Sequence, residues 1–110
     1  MPNNPYVSIR AYPDTERSVT GPFSGISQNL GTALTVNPVM MVMDNQSDVQ
    51  VALYWNGILW HTFTAGEALT IGFKSEMGQA ATFCPAIGDQ FAVIATAGTG
   101  SFRISIIYAL

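Results

Sequence analysis

The chain has 110 residues, of which 48% are hydrophobic and only 10% charged, with four Lys plus Arg, seven Asp plus Glu and a formal net charge of −3. The length fits one domain with a core of its own. The apolar content excludes a charge-rich disordered tail, and four basic residues cannot neutralise the phosphates of a nucleic-acid groove.

Residues 1–31 hold four of the six prolines (Pro2, Pro5, Pro13, Pro22) and four of the eleven charges (Arg10, Asp14, Glu16, Arg17). Tyr6 to Tyr12 alternates, with Tyr6, Ser8 and Arg10 facing one way and Val7, Ile9 and Ala11 the other. That is the period of one strand. Ser18 to Leu30 has little periodicity. The region reads as an extended N-terminal arm carrying one strand, packed on its own domain or on a neighbour, or else as a frayed terminus.

From residue 32 to residue 110 the prolines and glycines cut the chain into short pieces, and alternation dominates. Val39–Asp44 comes first, followed by the polar turn Asn45 to Asp48. Val49, Val51, Leu53 and Trp55 then alternate with Gln50, Ala52 and Tyr54. Asn56-Gly57 signals a tight hairpin, because both residues tolerate positive φ, and it leads into Leu59–Phe63. Ala65-Gly66-Glu67 turns into Ala68–Phe73. Gly88-Asp89 precedes Gln90–Ala97, and Gly98-Thr99-Gly100 links that run to Ser101–Tyr108. Seven or eight short strands at regular spacing predict an all-β antiparallel sandwich of jelly-roll or immunoglobulin-like type, with its domain over 32–110.

The N-terminus lacks the basic-then-apolar pattern of a secretory signal, and no window approaches the roughly 18 apolar residues of a membrane helix. The single Cys84 cannot close an internal disulfide. These features lead us to expect a protein made in a reducing cytoplasm, with neither nucleic acid nor membrane as a partner. Asn45-Gln46-Ser47 matches a glycosylation sequon, which carries little meaning without a signal peptide.

Catalytic chemistry has little to stand on. His61 and Cys84 are the lone members of their kinds, and a Cys–His nucleophile needs contact plus a third, orienting group. Inside an alternating strand His61 reads as an ordinary strand residue, and Cys84 as a small buried hydrophobe. Zinc wants three or four Cys or His ligands. Asp44 and Asp48 flank one turn, but a hard cation needs six or more oxygens, so that turn reads as solvated. Gly98-Thr99-Gly100 lies between strands with no helix after it, so it is a hairpin link rather than a phosphate loop. Seven scattered acids give no glycosidase-like pair. The sequence therefore predicts no catalytic residue, no metal and no cofactor.

Two patterns point to binding. Tyr54, Trp55 and Trp60 surround the Asn56-Gly57 turn. Exposed on one face they would stack on sugar rings; otherwise they pair across strands or enter the core. Met40, Met41 and Met43 lie in an apolar run without alternation, as expected of a strand covered on both sides. One cover would be the core, the other a second sheet or another subunit. Arg103 is the one charge well inside a predicted strand of the sandwich domain, so its partner lies within the subunit or across an interface.

The stretch from Val39 to Leu110 resembles a known kind of protein. An apolar strand, the turn Asn45-Gln46-Ser47-Asp48 and Val-Gln-Val-Ala-Leu-Tyr lead into Trp55-Asn56-Gly57. Trp60-His61-Thr62-Phe63 and Ala65-Gly66-Glu67-Ala68-Leu69-Thr70-Ile71 follow, and Gly-Ser-Phe-Arg-Ile-Ser-Ile-Ile-Tyr-Ala closes the run. This order resembles the small β-sandwich structural proteins of tailed-bacteriophage virions. The resemblance implies a non-enzymatic virion component that self-associates or caps other virion proteins, in capsid decoration, the neck or the tail. It would be made in the host cytoplasm and end in the particle. On that expectation the interface candidates are Tyr6, Ile9 and Tyr12 of the arm, with Met40, Met41, Met43 and Arg103. The rival expectation is a glycan-binding module built on Tyr54, Trp55 and Trp60, serving host recognition.

Overall fold

The structure, a computed structural model, describes residues 11–73 and 84–109. Every regular element among them is a strand: β1 (Ala11–Pro13), β2 (Arg17–Thr20), β3 (Gln28–Asn29), β4 (Pro38–Asn45), β5 (Val51–Trp55), β6 (Ile58–Phe63), β7 (Ala68–Gly72), β8 (Phe91–Ala95) and β9 (Ser101–Ala109). They form two antiparallel sheets. One has the order β1-β9-β4-β7, with β2 also on β9, and the other the order β3-β8-β5-β6. The sheets pack face to face as a β-sandwich, which is the expected fold class.

Alternation explains the core. In β5 and β8, Val51, Leu53, Phe91, Val93 and Ala95 turn inward, and in β9 Phe102, Ile104 and Ile106 do the same. Phe63 and Phe102 meet edge to face with ring centres 5.1 Å apart, one ring from each sheet. Such a pair adds about 1 kcal/mol beyond the burial of the two rings. The Asn56-Gly57 hairpin forms as the sequence predicts, with φ of 51° and 81° joining β5 to β6.

From residue 32 on, the described residues hold six strands rather than the expected seven or eight, and these six correspond to the runs between turns that the sequence marks. The remaining three come from the segment read as an arm. From Ala11 onward that segment lies on its own sandwich. β1 and β2 pair with β9, Phe23 bridges to Gly98, and β3 pairs with β8. Phe23 and Leu30 enter the core. Strands of two to four residues that change sheet midway cannot show a hydrophobic period, so Ser18 to Leu30 looks irregular in sequence.

This segment also buries Arg17. Its Nη1 donates to Asp14 Oδ2 at 2.8 Å and to the Thr15 carbonyl at 3.2 Å, and its Nε donates to the Thr32 carbonyl at 3.2 Å. The Arg17 hydrogen bond is the chief cause holding the Asp14 carboxyl below its ordinary value. Gly31, at φ +66°, lies against the Arg17 stem, where a Cβ would crowd Cγ at 3.0 Å.

Candidate assembly surface

The two ends of the sandwich differ in chemistry. One end gathers the turns 45–50, 64–67 and 96–100. Asn45 is fully buried there. Its Nδ2 donates to the Val49 and Thr64 carbonyls at 2.9 Å, and its Oδ1 accepts from Ser47 N at 3.1 Å and from the Ser47 hydroxyl at 2.6 Å. The Asn45 backbone bonds both Glu67 and Gly66. Asp48 accepts from Thr99 N at 2.9 Å. Glu67 accepts from Thr64 N at 2.9 Å and lies 3.1 Å from His61 Nε2. The Thr64 N–H first, and His61 second, hold the Glu67 carboxyl below its ordinary value. The backbones approach so closely that a Cβ at Gly100 (φ +110°) would strike the Gln46 carbonyl and Ser47 Cα.

The other end gathers the β5–β6 hairpin, the loop 84–90 and residues 34–37. One carboxylate organises it. Asp89 accepts from Trp55 Nε1 at 2.8 Å, Asn56 Nδ2 at 3.0 Å and Ala86 N at 2.9 Å. Burial works to raise the Asp89 pKa, but the bonds from Asn56, Trp55 and Ala86 outweigh it and leave the carboxyl lowered. Around this polar pin the surface is apolar. Ile58, Leu59 and Ile87 are 69%, 51% and 61% exposed. A shallow cleft of about 300 Å³ lies at the same end, lined by residues such as Val39, Phe73, Cys84 and Pro85. Among the described residues Asp89 is the single charged side chain in the turns of this end.

The expected interface residues separate. Met40 is 39% exposed on the outer face, next to half-buried Val42 and Ile107. Met41 and Met43 are fully buried in the core. The run therefore alternates in burial although every residue in it is apolar, and among the described residues no second sheet covers its outer side. Tyr12 packs against Tyr108 of its own chain, with ring centres 5.7 Å apart. Arg103 finds its partners inside the subunit, at 3.4 Å from Asp44 Oδ2 and 3.8 Å from Glu16 Oε2. Tyr6 and Ile9 lie outside the described residues.

The aromatic trio does not form one platform. Tyr54 follows the outward row of β5, while Trp55 and Trp60 pack against the core. His61 packs edge-on against Phe63 at 4.6 Å. Cys84 is exposed rather than buried, which corrects the expected buried hydrophobe: it sits in the loop lining the cleft. Asp44 and Asp48 diverge, one toward Arg103 and Gln46 and the other toward Thr99. Among the described residues no three His, Cys, Asp or Glu side chains gather around a possible metal position, and no helix is long and apolar enough to cross a membrane.

Sequence reasoning missed Ile58, Leu59 and Ile87. The signal was there: aliphatic residues directly after Asn56-Gly57 and directly before Gly88-Asp89, where turn chemistry normally brings polar ones. No family model, curated protein or solved structure matches the chain.

Proposed function

We propose that this protein is a non-enzymatic structural subunit of a bacteriophage particle, assembling in multiple copies on the capsid, neck or tail. It is made in the host cytoplasm and works in the virion, bound to further copies of itself and to other virion proteins. The observation that carries the reading is the apolar end. Ile58, Leu59 and Ile87 stand exposed at the end that the Asp89 hydrogen bonds hold together, and large exposed apolar side chains gathered at one end of a domain support an interaction site there. The charge-poor strands and the resemblance of Val39–Leu110 to virion β-sandwich proteins point the same way. The splitting of Tyr54 from Trp55 and Trp60 disfavours the glycan-binding alternative.

Light scattering of the purified chain over a concentration series, with mass spectrometry of particles carrying it, tests the proposal. Concentration-dependent association and many copies per particle are expected. A monomer at every concentration that is also absent from particles would refute it.

A further inference from the structure

The margins of the two sheets are unequal. On one side β1, β2 and β3 are two to four residues long, and one of them contains Pro13. Short strands and proline are devices that blunt a sheet edge. On the other side β6 and β7 are the outermost strands among the described residues. β6 is partly guarded, because its pairing with β5 shifts register between Leu53 and Tyr54, and a bulge twists an edge away from partners. β7 has neither charge, proline nor register shift over Ala68–Gly72.

The register shows which atoms β7 offers. Phe73 N bonds the Val39 carbonyl, and Asn45 N bonds the Glu67 carbonyl. Antiparallel pairing alternates bonded and non-bonded pairs. Leu69 and Ile71 therefore direct their backbone groups to β4, and Ala68, Thr70 and Gly72 direct theirs outward. These three residues are small and exposed. At Gly72 a Cβ would meet nothing within 4 Å. Leu69 and Ile71 are only half-buried on the inner side. Among the described residues nothing pairs with these outward groups, and the apolar row beside them is incompletely covered, which is what an added strand completes.

We infer that β7 is the acceptor of a strand-addition contact whose occupant is the N-terminal segment, residues 2–10, of a second copy of this chain. This rests on the multi-copy reading above and names the contact between copies, leaving the apolar end to other virion proteins. Ten residues precede Ala11, and within them Val7 and Ile9 form an apolar row opposite Tyr6, Ser8 and Arg10. That row matches Leu69 and Ile71 in spacing and chemistry. The chain's own segment cannot supply it. Ala11 pairs with Ala109 on β9, and β7 lies across β9 and β4, about 14 Å away at strand spacing. Ile9, two residues from Ala11, reaches at most about 7 Å. The donor and acceptor margins lie on opposite sides of one sheet. That makes the contact head-to-tail, and it repeats into a ring or filament.

The test uses the full-length chain, deletion of residues 2–10, and Thr70→Pro. The proline removes one outward N–H and leaves the bonds to β4 in place. Light scattering is expected to show wild-type chains assembling and both variants monomeric, with circular dichroism melting unchanged within a few degrees. Mixing the two variants is expected to give a 1:1 heterodimer that grows no further, since one keeps the edge and the other the arm. Wild-type-like assembly of Thr70→Pro would overturn the acceptor edge and leave the multi-copy reading standing. Assembly of the deletion alone would overturn the arm as occupant, in favour of a β7–β7 contact. Should Thr70→Pro not fold, Ile9→Asp and hydrogen exchange at the Thr70 amide decide the question. Protection in the wild type that is lost in Ile9→Asp supports the inference, and equal exchange in both overturns it.

Discussion

The two ends of this sandwich are built from similar numbers of turns but do opposite things with them. At the Asn45 end, buried amide, hydroxyl and backbone groups satisfy one another and glycines let the chains touch. At the Asp89 end a single carboxylate pins three segments, and aliphatic side chains face outward. A polar network specifies one geometry, because each member left unpaired carries a desolvation cost. An exposed apolar group costs little until a partner covers it. The first end holds the fold, and the second is the end our proposal assigns to binding.

The contrast makes ordered predictions, beginning with the largest effect on stability. Asn45→Ala leaves buried carbonyls of Val49 and Thr64 without their donor and is expected to cost about 3 kcal/mol. Measured by thermal melting, that is a fall of roughly 10–20 °C. Gly100→Ala forces a side chain into a positive-φ position against Gln46 and Ser47. It is expected to cost about 2–3 kcal/mol in urea unfolding. Asp89→Ala removes three hydrogen bonds from a partly exposed site and should cost about 1–2 kcal/mol. It should also raise proteolytic cleavage within 84–90. Equal costs at Asn45 and Asp89 would erase the distinction between the ends.

A pH series sharpens the comparison further. Asp14, Asp89 and Glu67 all have lowered pKa values in the folded chain. A lowered carboxylate stabilises the fold at pH above its unfolded value, about 4. That contribution is lost as the pH falls through the folded value. Stability from these groups is therefore flat from neutral pH down to about 5 and declines below about 4. Asp89→Asn should flatten the part of the decline that belongs to its end, as read by melting temperature against pH.

Much of this fold was legible in the sequence. The runs that become β5, β8 and β9 alternate because each strand has one buried row, and Asn56-Gly57 fixes the hairpin by its backbone freedom alone. β1 to β3 were not legible, since strands this short crossing between sheets carry no period. Asn45 and Arg17 were hidden for another reason: their burial depends on partners far along the chain, such as Thr64 and Thr32. The interface candidates fared unevenly on the same physics. Composition could mark Met40, Met41 and Met43 as a run, but only register separates an exposed Met40 from two core residues. Ile58 and Leu59 lay in plain view beyond the turn, where neither hydropathy nor alternation singles them out.

The most direct test separates binding from folding at the apolar end. Ile58→Asp with Leu59→Asp alters two exposed residues, so stability should change by no more than about 0.5 kcal/mol per site. Mass spectrometry of particles assembled with this double variant or with the wild type is the decisive measurement. We predict many copies of the wild type per particle and a variant sharply depleted from particles at an unchanged melting temperature. Equal incorporation of the two chains would contradict the account.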